Sequence, residues 1–349
     1  MRQTRKIIFN LFCIIFCFAL KASSQNKFEN ALWVTCEGSR AVLDKVSSID
    51  ELIAFACKNK ITTLFVQVYR GNRTWYTTDL ADDTPAQKFF KEYGFEMLPY
   101  LIKKAHKNNI SVHAWFNILR ITKNKQAFIL KKYGERIVTR DSKLRSILDY
   151  PDFNLPPPEN KYYEMGDPGI WLDAGNQDVK NYISSLINDF LVRYSEIDGI
   201  HLDFIRLPTI IPFSPGSRFK GLSFGYGYES VKKFREEYGF DPLGKDLKRH
   251  QFLQWDNFRR EQITNLVKKI KHICKKKGKL LSAAVRPWIA IAYLTDFQDW
   301  PQWLEKGIID FAVVMNYTDD FQLFKYLTLS SYSLKRISPE KSKILIGIG

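Results

Sequence analysis

Asp198-Gly199-Ile200-His201-Leu202-Asp203-Phe204-Ile205-Arg206 is the stretch on which the reading of this chain turns. In an extended segment successive side chains point to opposite faces, so Ile200, Leu202 and Phe204 share one face and Gly199, His201, Asp203 and Ile205 the other. A continuous apolar face opposite a face with a histidine and a carboxylate describes a strand covered by helices outside and open to a polar centre inside. The parity predicts that Asp203 projects inward near the C-terminal end of its strand.

Six more short apolar or β-branched runs have the same character: Ala31 to Cys36, Thr62 to Tyr69, Ser111 to Ile118, Leu280 to Arg286, Phe311 to Tyr317 and Ile344 to Ile348. Helical periodicity separates them, near Met97 to Asn108, Gln177 to Tyr194, Phe252 to Lys276 and Trp300 to Lys306. An earlier helix is marked by the capping-box pattern Ser48-Ile49-Asp50-Glu51. Alternating β and α units predict an α/β protein built on a parallel sheet, here a TIM (β/α)8-type barrel. Seven strands are legible, so the expected barrel is cut short after strand seven. Residues 25–349 form one domain, with long loops at 134–175 and 207–227. Both follow the C-terminal ends of strands, the face on which such barrels build their sites.

The same alternation nominates the lining of that face. Glu37 projects from the first strand, Gln67 and Tyr69 from the second, Trp115 and Asn117 from the third, His201 and Asp203 from the fourth and Arg286 from the fifth. The sixth strand leaves two registers open, one presenting Tyr317 and one Asn316. Arg70 and Arg206 follow their strands. Asp173, in Trp171-Leu172-Asp173-Ala174-Gly175, closes the first long loop, where substrate contact and a turn role compete. Two inward carboxylates, Asp203 and Glu37, amid arginines and aromatic rings suit glycosidic hydrolysis: one acid protonates the leaving oxygen while a second carboxylate attacks or activates water. The competing reading makes these carboxylates ion-pair partners of Arg206 and Arg40. His201, one layer deeper, reads as a hydrogen-bonded histidine that orients its neighbours.

Residues 1–24 read as an export signal: Arg2, Arg5 and Lys6 precede the apolar run Ile7 to Leu20, and Ala22-Ser23-Ser24 offers a cleavage site. That run is short for the roughly twenty residues of a membrane span. The expectation is a secreted or periplasmic protein with no stable span after cleavage. Without Arg2, Arg5, Lys6 and Lys21 the net charge of +16 falls by four, to +12, which favours anionic surfaces or glycans. Cys36, Cys57 and Cys274 make no disulfide framework and no metal spacing, so no cofactor or metal is expected. Nucleic acid is not expected either, because the lysines of 268–279 flank a helical apolar stripe without interleaved aromatic residues.

Taken together, several segments resemble the family-ten-like glycosyl hydrolases. They are Phe65-Val66-Gln67-Val68 with Trp75-Tyr76, His113-Ala114-Trp115-Phe116-Asn117, Leu172-Asp173 with Gly175-Asn176, and residues 198–206. Phe224-Gly225-Tyr226, Trp255-Asp256, Phe258-Arg259-Arg260, Ser282-Ala283-Ala284-Val285, Asp299-Trp300-Pro301 and Met315-Asn316-Tyr317-Thr318 continue the pattern. The resemblance implies an extracytoplasmic TIM-barrel glycosidase acting on polysaccharide, with cell-wall glycan as one substrate class and Asp203 matching its acid. Tyr69-Arg70-Gly71-Asn72-Arg73 and Val285-Arg286-Pro287 depart from the pattern and add positive charge, and Cys36-Glu37-Gly38-Ser39 is a variant ending of the first strand. The expected partner is a polysaccharide or oligosaccharide. The runner-up is a non-catalytic glycan-binding barrel.

Overall fold

All seven expected strands are present in the computed structural model, which describes residues 29–38, 41–214, 222–334 and 343–348. In chain order the strands are β1 (Ala31–Val34), β2 (Thr63–Arg70), β3 (Arg73–Thr74), β4 (Ser111–Asn117), β5 (Tyr163–Met165), β6 (Gly199–Asp203), β7 (Ile210–Pro212), β8 (Leu280–Val285), β9 (Phe311–Met315) and β10 (Lys343–Gly347). The helices are α1 (Val46–Lys58), α2 (Thr84–Tyr93), α3 (Met97–Lys107), α4 (Phe128–Tyr133), α5 (Gln177–Arg193), α6 (Tyr228–Tyr238), α7 (Arg249–Lys276), α8 (Ile289–Leu294), α9 (Trp300–Glu305) and α10 (Phe321–Ser333). One curled sheet runs β1-β2-β4-β6-β8-β9-β10, every pair parallel, with β3 folded back antiparallel on β2.

The outward faces follow the alternation. Leu64, Val66, Val112, Ala114, Ile200, Leu202, Leu281 and Ala283 are fully buried in the main core. Each large aliphatic side chain there contributes about 1.5–3 kcal/mol. The inner face holds a second cluster of Ala31 and Trp33 from β1, Phe65 from β2, Phe311 and Val313 from β9, and Leu345 from β10. The two ends of the sheet therefore meet through side chains. Lys343 also pairs with Glu29, and a Cβ on Gly347 would come within 2.2 Å of the Trp33 ring, so only glycine fits there. Among the described residues β1 and β10 are each paired on one side only. His113, with Phe65 and Phe311 around it, is buried in the same interior, and burial pushes it down to about 4.

Two local expectations are refined. Helix α1 starts ahead of Ser48: Lys45 is the extended residue before it, and its carbonyl already accepts the Ile49 N–H at 3.2 Å, so Ser48 lies inside the first turn rather than capping it. The two long loops pair with each other, β5 running antiparallel to β7 in the register Tyr163↔Pro212, Glu164↔Ile211 and Met165↔Ile210. The expected export segment, Arg40 and residues 215–221 of the second long loop lie outside the described residues. No described helix is long and apolar enough to cross a membrane.

Candidate active site

Asp203 is the last residue of β6 and is only 8% exposed. Its carboxylate accepts the Phe204 N–H at 2.7 Å and the Trp115 indole N–H, from the neighbouring β4, at 3.1 Å. Phe204 takes φ +50°, a left-handed conformation that costs a non-glycine residue about 1–3 kcal/mol. That turn is where the strand gives way to the long loop. Burial pushes the Asp203 carboxyl above its ordinary range; the Phe204 N–H, the Arg206 charge and the Trp115 N–H oppose the shift, and the nearby Asp167 carboxylate adds to it.

Asp167 comes from the first long loop, two residues after β5, within Gly166-Asp167-Pro168-Gly169. It accepts the Arg206 guanidinium at 2.7 Å and stands 3.9 Å from Arg286. Burial alone would raise the Asp167 carboxyl, but Arg206, Arg286 and Arg120 outweigh it and hold it below the carboxylate range. Arg206 is buried, with its guanidinium 5.1 Å from the Trp171 ring centre and 5.2 Å from that of Phe204, and Arg120 lies 5.1 Å from the same Phe204 ring. Thr209 joins the group, accepting from Arg206 and from Arg286 at 2.9 Å each and donating to the buried Asp296 at 3.0 Å. Arg286 Nε reaches Asp296 at 3.0 Å. The Nε atoms of Arg206 and Arg120 are buried without an acceptor among the described residues.

Aromatic side chains wall the inner face. Trp33 of β1 is half-buried; it donates to His201 Nε2 at 3.4 Å and meets Tyr317 edge-on at 6.0 Å. Because Nε2 accepts, His201 carries its proton on Nδ1 and donates to Ser282 Oγ at 2.9 Å. His201 is thus a fully buried positioning group below the mouth. Tyr317 keeps 53% of its surface in solvent and stands at the rim beside Trp33. A layer beneath, Gln67 donates to Asn117 Oδ1 at 3.1 Å and accepts from Cys36, and all three are buried.

Three nominated residues lie elsewhere. The pairing of β2 with β4 shifts between Gln67 and Tyr69, so Tyr69 aligns with the outward Phe116 and turns out of the barrel. There the Asn72 amide donates to Tyr69 at 2.9 Å and to Tyr182 of α5 at 2.6 Å. Asn316 is buried against α10, donating to the Phe324 carbonyl and to Thr328 at 3.0 Å each, which leaves Tyr317 as the inward register of its strand. Asp173 is 1% exposed and accepts from the Gly175 N–H at 3.0 Å and Ser230 at 2.8 Å; it shapes the turn before α5, whose cap is Asn176.

Glu37 is half-exposed and held by Arg70 at 3.0 Å; both line a hollow of about 590 Å³ with Arg73, Lys123 and Lys131. The carboxylate whose charge reaches Asp203 is Asp167, which sequence reasoning passed over, as it did Trp33 and Arg120. Trp33 carried a signal, because it shares the parity of Glu37. Asp167 carried only the turn-forming residues around it. No group of three or more His, Cys, Asp or Glu among the described residues is placed to hold a metal ion. What remains is a pair of carboxylates driven in opposite directions, one toward its protonated form and one toward its ionised form, the arrangement that divides acid from base or nucleophile in glycoside hydrolysis.

Comparison with known proteins bears on the family and the fold. The sequence model of the family described as Glycosyl hydrolase-like 10 matches residues 30–349. The glycosyl hydrolase DigH of Escherichia coli strain K12 is 23% identical over 328 residues, an alignment covering 88% of this chain and 65% of that protein. YngK of Bacillus subtilis, also described as a glycosyl hydrolase, is 23% identical over 245 residues, 65% of this chain and 40% of that one. The chain therefore spans less than two thirds of the length of these relatives. The glycoside hydrolase domain of PgaB (BpsB) from Bordetella bronchiseptica superposes with a TM-score of 0.58 at 13% identity, covering 91% of this chain and 84% of that domain, a likeness of fold.

Proposed function

Because the chain belongs to the Glycosyl hydrolase-like 10 family, we propose that it is an exported glycoside hydrolase that cuts a polysaccharide by paired carboxylate chemistry. Asp203 is the proton donor. Its raised pKa keeps it protonated further up the pH scale than an ordinary aspartate, and it gives that proton to the departing glycosidic oxygen. Asp167 is the second carboxylate, kept ionised by its guanidinium partners to serve as base or nucleophile toward the anomeric carbon. The observation that carries the reading is a buried carboxylate, Asp203, at a strand-end mouth, with a second carboxylate, Asp167, held beside it by Arg206 and Arg286. Trp33, Trp115 and Tyr317 offer ring faces to the sugars. The arginines and the net charge of +12 left after the export signal, +16 less four, favour an acidic glycan. Export rests on residues 1–24.

A second reading, a barrel that binds glycan without cutting it, draws on the Asp203 oxygens, each of which already accepts an N–H, a bonding pattern that favours the ionised form. Turnover separates the two. The protein is incubated with peptide-free peptidoglycan strands and with a panel of acidic and neutral polysaccharides, beside Asp203→Asn, and products are read by mass spectrometry. Cleavage by the wild type and its loss in the variant support the hydrolase. Equal cleavage by both removes Asp203 from the chemistry. Binding without cleavage by either selects the second reading.

A further inference from the structure

A second cavity, of about 350 Å³, adjoins the carboxylate pair and shares Arg286 and Thr209 with it. Much of the remaining wall is apolar, with Trp288, Ile210 of β7, Ile291 and Leu294 of α8, and Phe297, and Ser223 and Thr295 add hydroxyls to it. Apolar side chains of this size are normally hidden, yet Trp288 keeps 43% of its surface in solvent and Leu294 keeps 59%. Nothing in the acid–base chemistry at Asp203 and Asp167 uses them.

The backbone that carries the indole is tied down. Trp288 follows Arg286 by a single residue, Pro287, whose ring restricts the backbone. The Arg286 N–H is tied to Gln298 Oε1 at 2.9 Å, and Gln298 in turn donates to the Ala284 carbonyl at 3.1 Å. The end of β8 thus carries, in three consecutive residues, a guanidinium facing Asp167 and an exposed ring facing the cavity. A volume of this order lies at the small end of ligand pockets and holds on the order of one or two sugar rings.

A pyranose ring presents C–H groups on its faces and hydroxyl or substituent oxygens around its rim. The cavity presents the complement: an exposed indole and aliphatic walls, with Arg286 and the Thr209 hydroxyl on the side nearest Asp167. We propose that it is a distal glycan subsite, which takes a ring of the substrate chain outside the bond being cut, stacked on Trp288 with its rim oxygens on Arg286. The proposal deepens the hydrolase reading and rests on it for the position of the scissile bond. The substrate is then recognised as a chain, and cleavage efficiency rises with chain length until this subsite is filled.

The test compares wild type, Trp288→Ala and Trp288→Phe on oligosaccharides of two to eight residues prepared from peptide-free peptidoglycan strands, with kcat/KM measured for hydrolysis and Kd by titration. The expected result is a rise in kcat/KM and in affinity with length, a loss in Trp288→Ala that grows with length to roughly tenfold, about 1.4 kcal/mol, and recovery of most of it in Trp288→Phe. Length dependence identical in wild type and Trp288→Ala overturns the subsite, as does wild-type protein indifferent to length. Wild-type protein that binds these chains but cuts none removes the hydrolase reading alone, and Kd then decides the subsite by the same comparison. Wild-type protein that neither binds nor cuts them overturns the subsite for this glycan.

Discussion

Asn in place of Asp167 removes one negative charge while keeping the size of the side chain and one oxygen for Arg206. Two consequences follow from the contacts. First, Arg206 is buried with its guanidinium 2.7 Å from this carboxylate. Breaking a fully buried ion pair costs about 3–5 kcal/mol. The Asp167 side chain is 28% exposed and Asn still accepts one bond, so a loss of about 2 kcal/mol is expected. Second, the Asp167 charge lifts Asp203, while the Arg206 charge lowers it. Neutralising Asp167 removes the first influence and leaves the second, so Asp203 titrates lower. An acid must be protonated to donate, so activity falls as pH rises through its pKa, and the basic limb of the kcat/KM profile moves toward lower pH in Asp167→Asn. Loss of the base or nucleophile itself lowers kcat about 10²–10⁴-fold. The assay is kcat/KM against pH for wild type and variant on the glycan that the wild type cleaves, with thermal unfolding alongside. A variant that hydrolyses at the wild-type rate with an unmoved basic limb would refute the pairing of Asp203 with Asp167.

Asp173, pushed by burial from 3.8 to about 6, contributes stability that is present at low pH and is lost as pH rises through about 6, roughly 3 kcal/mol in all. Asp173→Asn is therefore expected to melt a few degrees above wild type at pH 8 and level with it near pH 4; a lower melting temperature at pH 8 would show that the ionised form is the stabilising one. Tyr69→Phe removes the hydroxyl that accepts from Asn72, so about 1 kcal/mol is lost in denaturant unfolding, with kcat unchanged; a tenfold fall in kcat would return Tyr69 to the site. At Gly199 a Cβ would sit 2.4 Å from His113 Nδ1 and 2.8 Å from the Leu280 carbonyl. Gly199→Ala should cost about 1–3 kcal/mol by overpacking, measured as a shift of the denaturation midpoint, and an unshifted midpoint would mean that the interior yields freely.

The strands could be read from sequence because each carries its whole outward face as an apolar run, and burial of that face is what makes the sheet form. Asp203 and Trp115 were legible for the same reason, since alternation from Ile200 and Ala114 leaves them inward. Tyr69 misled because one extra residue in β2 shifts its pairing against β4, and a shift of one flips every later side chain. Asn316 is polar enough to look like a site residue but follows a strand whose two registers are equally apolar. Asp167 was hidden for a different reason. It lies in a loop without periodicity, and its partner Arg206 is 39 residues away; their segments meet through the pairing of β5 with β7 and the Gly166 N–H on the Thr209 carbonyl.

That ribbon has three residues on each side, and a two-stranded ribbon of this size is marginal by itself in water. The barrel and the ribbon are therefore unequal in strength. The sheet that carries Asp203 is tied into the whole core, whereas the segment that carries Asp167 is held by that ribbon on one side and by three backbone hydrogen bonds to residues 119–122 on the other. These loop contacts can open while every strand of the sheet stays folded. In such a state Asp203 loses the neighbour that lifts its pKa, and Arg206 and Arg286 lose the carboxylate between them. Heating would then dismantle the carboxylate site before it melts the fold, and the temperature range of the site would be set by the loops and not by the barrel.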